Sequence, residues 1–364
     1  MGFTPKRLQT TDAVAMWMNQ LPQWINSIRY KIQRHQAVLD YEPLHLEVFI
    51  DACCWLDCAR CHLSPEQACL GSNDKTLDLE AFQFILEQVP TVHSVGFSGP
   101  GEPLTTPDLL RMVRAAHQLG GAHTRITTNG LLLQQRAGDI LNSPLNHLLV
   151  ECFAHKPSAY GLITGKPPQQ FVHILQSLQA FLGQRKRRQQ PFPLVELSMV
   201  VDVFTYRRIP EMVAFVAELG ADAVRFNNRL PEDPSDAALY TLYTHHREAK
   251  RYLESLTEAQ FPIQVTLPLL HEKDMSQNRR CRSPYTTVGV DTNCSVTGCE
   301  KQQVASLTET KIWEPDFWNN DSFQWLRNVH GSGSQAVPTA CQRCPNNSGE
   351  APRVLNPIQP PSSS

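Results

Sequence analysis

The chain has 364 residues, 41% of them apolar and 19% charged, and carries a net charge of only −2. That balance excludes a wholly disordered chain and a strongly basic nucleic-acid-binding surface. No run of about 18 apolar residues is present, which argues against a membrane span, and the N-terminal segment lacks the uninterrupted apolar core of a secretion signal.

The N-terminal 43 residues read as a polar and amphipathic leader, helical over Thr11 to Leu39. From residue 44 to 230 short β-rich runs alternate with helix-patterned segments. The runs are LHLEVFI (44–50), SVGFS (94–98), TRITT (124–128), HLLVEC (147–152), VELSMVV (195–201) and AVRFN (223–227). Between them, Pro107 to Leu119 has Thr106 as a candidate N-cap and Gly120 as its C-terminal stop. Ile209 to Leu219 repeats this pattern, with Pro210 in the first turn and Gly220 after the end. Repeated strand-helix units predict a parallel sheet with right-handed crossovers. Six units fall short of the eight that close a TIM barrel, so the expected fold is α/β: a partial (βα)6 barrel whose reactive groups sit on the C-terminal ends of its strands.

Residues 231–275 read as a helical linker, with a long helical stretch from Ser235 to Thr257, leading into a C-terminal extension. Residues 276–350 form a small Cys-rich domain in which CRSPYTTVGVDTNCSVTGC (281–299) has the alternation of a hairpin. The Pro- and Ser-rich residues 351–364 are expected to be a disordered tail.

Eleven cysteines without an export signal fit a reducing, cytoplasmic compartment and metal or redox chemistry better than a disulfide framework. Cys54, Cys58 and Cys61 form C-x3-C-x2-C directly after the first strand. Three thiolates on one loop can each take one iron of a [4Fe-4S] cube, leaving the fourth iron open. A zinc site would need a fourth protein ligand; His62, adjacent to Cys61, could reach it only through an awkward chelate. Cys53 is then the spare thiol. Downstream, GFSGPGEPL (96–104) ends the second strand, where Gly99 and Gly101 allow close backbone approach and Glu102 places a carboxylate beside it.

On these motifs the chain resembles the radical SAM superfamily. The resemblance implies a [4Fe-4S] cluster on Cys54, Cys58 and Cys61 and S-adenosylmethionine chelated to its open iron. The cofactor is cleaved there to a 5′-deoxyadenosyl radical that abstracts a substrate hydrogen. It also implies that Gly99, Pro100, Gly101 and Glu102 receive the methionine amino group, with Pro100 standing where the family has glycine. Asn129, at the end of ITTNG, and Ser198, on the fifth strand, match positions where the family presents polar groups to the cofactor. Arg60 departs from the family, which commonly has an aromatic residue there; its guanidinium can stack on the adenine or simply face solvent. Cys152 is either a hydrogen donor facing the radical or a buried thiol.

Four sulfurs, Cys281, Cys299, Cys341 and Cys344, can hold zinc or a second cluster. Their arrangement is similar to the SPASM extension and its shorter relative Twitch. The resemblance implies one auxiliary [4Fe-4S] cluster, with Cys294, where the SPASM hairpin usually has glycine, as a fifth candidate ligand. Glu350 occupies the position where a further cysteine is expected. Implied partners are a peptide, protein or small-molecule substrate, for oxidative modification or rearrangement, and an electron donor such as flavodoxin or ferredoxin. No membrane or nucleic-acid partner is expected. A noncatalytic iron-sulfur or zinc scaffold is the alternative from another class, and it leaves the SGPGEPL rim without a purpose.

Overall fold

The computed structural model describes residues 10–50, 76–99, 101–229, 239–272, 281–299, 310–331, 337–338, 341, 344 and 351–358, with the backbone alone for 10–20. Each of the six anticipated strands is present: β1 (His45–Phe49), β2 (Ser94–Ser98), β3 (His123–Thr128), β4 (His147–Phe153), β5 (Leu194–Val201) and β6 (Ala223–Asn228). Four more join them, β7 (Gln264–Thr266), β8 (Thr287–Val290), β9 (Val296–Thr297) and β10 (Val354–Leu355), in the order β10-β7-β6-β5-β4-β3-β2-β1-β8-β9. The fold is therefore mixed α/β with a sheet dominated by parallel pairs. Strands β1 to β7 lie in chain order and pair in parallel. Right-handed crossovers then place the connecting helices on one face.

Alternation along the strands separates the two faces. Leu46 and Val48, Ile126, Leu148 and Val150, Val195 and Leu197, and Val224 are buried on the helix side. Arg125, Thr127, Glu151, Arg225 and Asn227 alternate with them and are more accessible, so the opposite, open face is polar. Each fully buried large apolar side chain contributes about 1.5–3 kcal/mol, so a one-residue slip in register would be prohibitive.

Some of the helices follow the local signals of the sequence and others depart from them. Helix α1 spans Thr10–Gln33, shorter than anticipated, and α2 (Leu79–Gln88) is capped by Asp78, whose side chain accepts from the Ala81 N–H at 2.8 Å. Helix α3 (Leu109–Gln118) does not start at Thr106. A 3₁₀ turn over Pro103–Thr105 ends there, Thr106 is held extended before Pro107, and the helix begins two residues later. Helices α4 (Leu133–Leu141), α5 (Pro157–Thr164) and α6 (Pro168–Arg187) precede α7 (Ile209–Leu219), which matches its expected bounds, with Pro210 in the first turn and Gly220 at φ 84°. The basic run after Gln184 is partly tied down: Arg185 pairs with Asp222 and Arg188 donates to Asn142.

Within the described residues the anticipated long helix from Ser235 is interrupted: residues 239–240 are helical, 241–246 are not, and α8 spans Arg247–Ser255. Asn228 explains the change. Its side chain exchanges hydrogen bonds with both backbone groups of Leu242 and donates to the Leu269 carbonyl, tying this segment to the one that carries His271, with which Tyr243 forms an isolated bridge. A helix there would forfeit these bonds.

The C-terminal part continues the same sheet. The hairpin is present as β8 and β9, and β8 pairs in parallel with β1. Short α9 (Ser283–Thr286) precedes it and α10 (Asp321–Gly331) follows it. Residues 351–358, anticipated as part of a disordered tail, include β10, which pairs antiparallel with β7. Arg327 of α10 is fully buried and donates to the carbonyls of Ala37, Pro284 and Trp318 and to Asn319 Oδ1, at 2.7–2.9 Å. Its guanidinium lies over Trp318, 4.4 Å from the ring centroid, and burial lowers its pKa to about 10. One side chain thereby joins the leader to the extension.

Candidate active site

The C-terminal ends of β2 and β3 are joined by a carboxylate. Glu102, 4% exposed, accepts from the Leu104 N–H at 3.0 Å, the Thr128 hydroxyl at 2.6 Å and the Asn129 N–H at 2.8 Å. Thr128 Oγ1 in turn accepts from the Gly130 N–H, and Asn129 Oδ1 from the Leu131 N–H. The sequence placed the Glu102 carboxylate beside the exposed backbone of the motif. In the structure its oxygens face the chain's own donors, and its action is to fix the rim. Charge-assisted bonds of this kind are the strong ones. Gly99 has φ 151°, a conformation that side chains rarely adopt, and is exposed; Gly101 is half-buried. The rim thus presents backbone rather than side chain, which suits a ligand ammonium needing carbonyl acceptors.

Below this rim the open face carries two charged groups that sequence reading did not single out. Glu47 accepts from Arg125 at 2.9 Å and from the Ser98 hydroxyl at 2.6 Å. Glu47, Gly96 and Arg125 lie in register on adjacent strands, so the pair meets across β2 because Gly96 has no side chain. A Cβ at Gly96 would lie 2.1 Å from Glu47 Oε2. Glu196 is 2% exposed and accepts from His147 at 3.1 Å and from Arg225 at 3.2 and 3.3 Å. Burial pushes its carboxyl up, but His147 and Arg225 outweigh it and hold it below the usual range. The available signal was one charged residue per otherwise apolar strand, each on the same alternation.

Ser198, buried on β5, accepts from the Asn227 amide at 2.9 Å, so this candidate is paired with an asparagine of β6 on the open face. Cys152 is not. It alternates to the helix side with Leu148 and Val150, is fully buried and donates to the Ala154 carbonyl at 3.3 Å. Burial pushes its thiol up to about 12. Its position supports the buried-thiol reading over a hydrogen donor.

The C-terminal cysteines separate into two environments. Cys341 packs with Leu326, Val329, Val337 and Cys299, and the charges of Cys281 and Cys344 act on it after burial, raising its pKa to about 12. The Cys344 N–H donates to the Cys341 carbonyl in a tight turn. An all-thiol donor set suits an iron-sulfur cluster or zinc, although among the described residues no three such side chains converge to metal-holding distance. Cys294 instead packs against the main core, where burial and Asp291 raise its pKa and Lys311 and Asp78 also act on it. It has φ 58°, which explains why glycine suits this hairpin position. Because β8 runs parallel to β1, Cys294 sits in the turn beyond the same sheet end from which the C-x3-C-x2-C segment departs.

Cys54, Cys58, Cys61, Arg60 and Pro100 lie outside the described residues, as do Cys53, His62 and Glu350.

No family profile matches the chain. Among curated relatives, the tungsten-containing aldehyde ferredoxin oxidoreductase cofactor-modifying protein of Pyrococcus furiosus is 28% identical over 202 residues, 52% of each chain. A probable GTP 3′,8-cyclase of Methanosarcina acetivorans is 30% identical over 136 residues, 36% of this chain and 40% of that protein. The chain spans about half the length of the curated relatives it matches, or less. Among solved structures, Streptococcus suis SuiB bound to precursor peptide SuiA superposes with a TM-score of 0.61 at 17% identity, covering 89% of this chain and 74% of SuiB. SuiB bound to S-adenosylmethionine gives 0.59 at 17% identity, covering 83% and 71%. The enzyme anSMEcpe with AdoMet and the Cp18Cys peptide gives 0.58 at 14% identity, covering 84% and 88%.

Proposed function

We propose, from the premise that this chain belongs by its fold to the radical SAM superfamily, that it cleaves S-adenosylmethionine reductively to remove a hydrogen atom from a peptide or protein substrate. The observation that carries this reading is the rim locked by Glu102, one strand-helix unit after C-x3-C-x2-C, on a fold shared with SuiB and anSMEcpe. The sheet is then the wall of a partial (βα)6 barrel, and residues 276–350 are its SPASM- or Twitch-like extension.

A [4Fe-4S] cluster on Cys54, Cys58 and Cys61 would supply the electron that breaks the sulfonium bond. The backbone of Gly99, Pro100 and Gly101 receives the methionine ammonium, and Glu102 keeps that backbone in place. Asn129 and the Ser198–Asn227 pair offer hydrogen bonds to the cofactor, and Arg60 stacks on its adenine. Cys281, Cys299, Cys341 and Cys344 would hold one auxiliary cluster, and Cys294 stands apart from them. The polar open face receives the substrate. A reduced flavodoxin or ferredoxin is the suitable electron donor, and eleven cysteines suit a reducing, cytoplasmic setting. No helix among the described residues is long and apolar enough to cross a membrane.

The peptide complexes of SuiB and anSMEcpe support a peptide substrate here. The GTP 3′,8-cyclase relatives favour a second reading, a small metabolite. Incubating the anaerobically reconstituted protein, reductant and S-adenosylmethionine with short peptides encoded beside its gene tests the first. A dehydrogenated or cross-linked peptide by mass spectrometry supports it; turnover of a small metabolite with every peptide unchanged contradicts it.

A further inference from the structure

On the outer surface where the sheet's first helix meets the C-terminal extension, two large aromatic side chains are exposed. Phe84 of α2 is 40% accessible and Trp313 is 49% accessible, and their ring centroids are 6.2 Å apart. Most large apolar side chains here are buried, and the pair joins segments more than two hundred residues apart in sequence. Among the described residues, the charged side chains closest in sequence to the two rings are mostly acidic. Glu80 and Glu87 lie four residues before and three after Phe84, on the same helical stripe, and Glu314 and Asp316 follow Trp313; all four are exposed. Lys311 is the nearby cation among the described residues, and its ammonium is committed to the Asn293 carbonyl and the Ser295 hydroxyl.

We infer that this patch docks a cationic, apolar-bearing segment of the peptide substrate, outside the residue that reacts. The inference rests on the peptide reading above. An apolar residue would cover the paired rings, and flanking lysine or arginine would meet Glu80, Glu87 and Glu314 and stack on the indole. The charge argues against nucleic acid and against an acidic electron-transfer protein at this place. Position favours a substrate. Asp78 caps α2 beside the end of β1, where the Leu77 N–H donates to the Ile50 carbonyl at 3.2 Å, so a segment held on α2 runs toward that end of the sheet.

The test uses the full reconstituted chain and two short fluorescein-labelled peptides, one of Lys, Arg, Leu and Phe, the other with Glu and Asp replacing the basic residues. Fluorescence anisotropy should show the basic peptide binding and the acidic one failing, with affinity falling as salt is raised. The double substitution Phe84→Ala, Trp313→Ala should weaken binding at least about tenfold, as loss of a central aromatic contact does. Glu80→Lys with Glu87→Lys should shift preference toward the acidic peptide. All four sites are exposed, and circular dichroism checks that the fold persists. Equal binding of both peptides, or basic-peptide affinity unchanged in the aromatic variant, overturns the proposal. Measuring 5′-deoxyadenosine from the unsubstituted chain separates the two readings. Its absence beside intact peptide binding sinks the enzyme reading alone, and its presence beside failed binding sinks this one alone.

Discussion

Glu102 and Thr128, at the ends of neighbouring parallel strands, share a 2.6 Å hydrogen bond in a fully buried setting. The same carboxylate holds the N–H groups of Leu104 and Asn129, so one side chain sets how two rim segments face each other. Glu102→Gln keeps the volume but turns an amide N–H₂ toward donors. It should cost about 2–3 kcal/mol in urea unfolding and weaken S-adenosylmethionine binding by calorimetry. A variant with unaltered stability would contradict the role assigned to Glu102.

Gly96 lets Glu47 reach Arg125 across the intervening strand. Gly96→Ala should push the carboxylate away and destabilise the protein by about 1–3 kcal/mol. In a Glu47→Ala background the same change should cost much less, because the clash partner is gone. Additive costs in that double-mutant cycle would show that the two residues are uncoupled.

Arg327→Met should be severe. It leaves the carbonyls of Ala37, Pro284 and Trp318 buried without their donor, a loss of about 3–5 kcal/mol in unfolding experiments. Arg327→Lys should recover little of it, since a point-like ammonium cannot span acceptors arranged around a planar fork. Full rescue by lysine would show that charge rather than geometry is at work.

Acid should weaken the fold in two stages. Burial lowers the pKa of His93, His123 and His155 below the ordinary value of 6.5, so below that pH the unfolded chain binds more protons and stability falls. Glu196 is held below 4.5, so its contribution is present above that pH and is lost as pH drops through its folded value. Melting temperature should therefore fall from pH 7 to pH 5 and more steeply below 4.5, and His123→Gln should flatten the first stage. A flat profile from pH 7 to 5 would contradict this assignment.

Strand positions were legible because each strand is a short apolar run between turn residues, and β1 to β6 lie within one or two residues of their expected bounds. Helix α7 was equally legible from Pro210 and Gly220. The start of α3 was not, because the Pro103–Thr105 turn uses Glu102 as its cap and consumes Thr106. The pairing of β8 with β1, of β10 with β7, and of Glu47 with Arg125 depends on contacts between distant segments, which local pattern does not encode. Glu102 was identified as a residue, but its orientation toward Thr128 and Asn129 emerged only from the way β2 and β3 end together.

Reductive cleavage of S-adenosylmethionine on Cys54, Cys58 and Cys61, as proposed, is tested by measuring 5′-deoxyadenosine formed by the anaerobically reconstituted protein with reductant. Product is expected from the native chain and from Cys53→Ala, and none from Cys54→Ala. No product from a native chain whose cluster is spectroscopically intact, or a normal yield from Cys54→Ala, would contradict it.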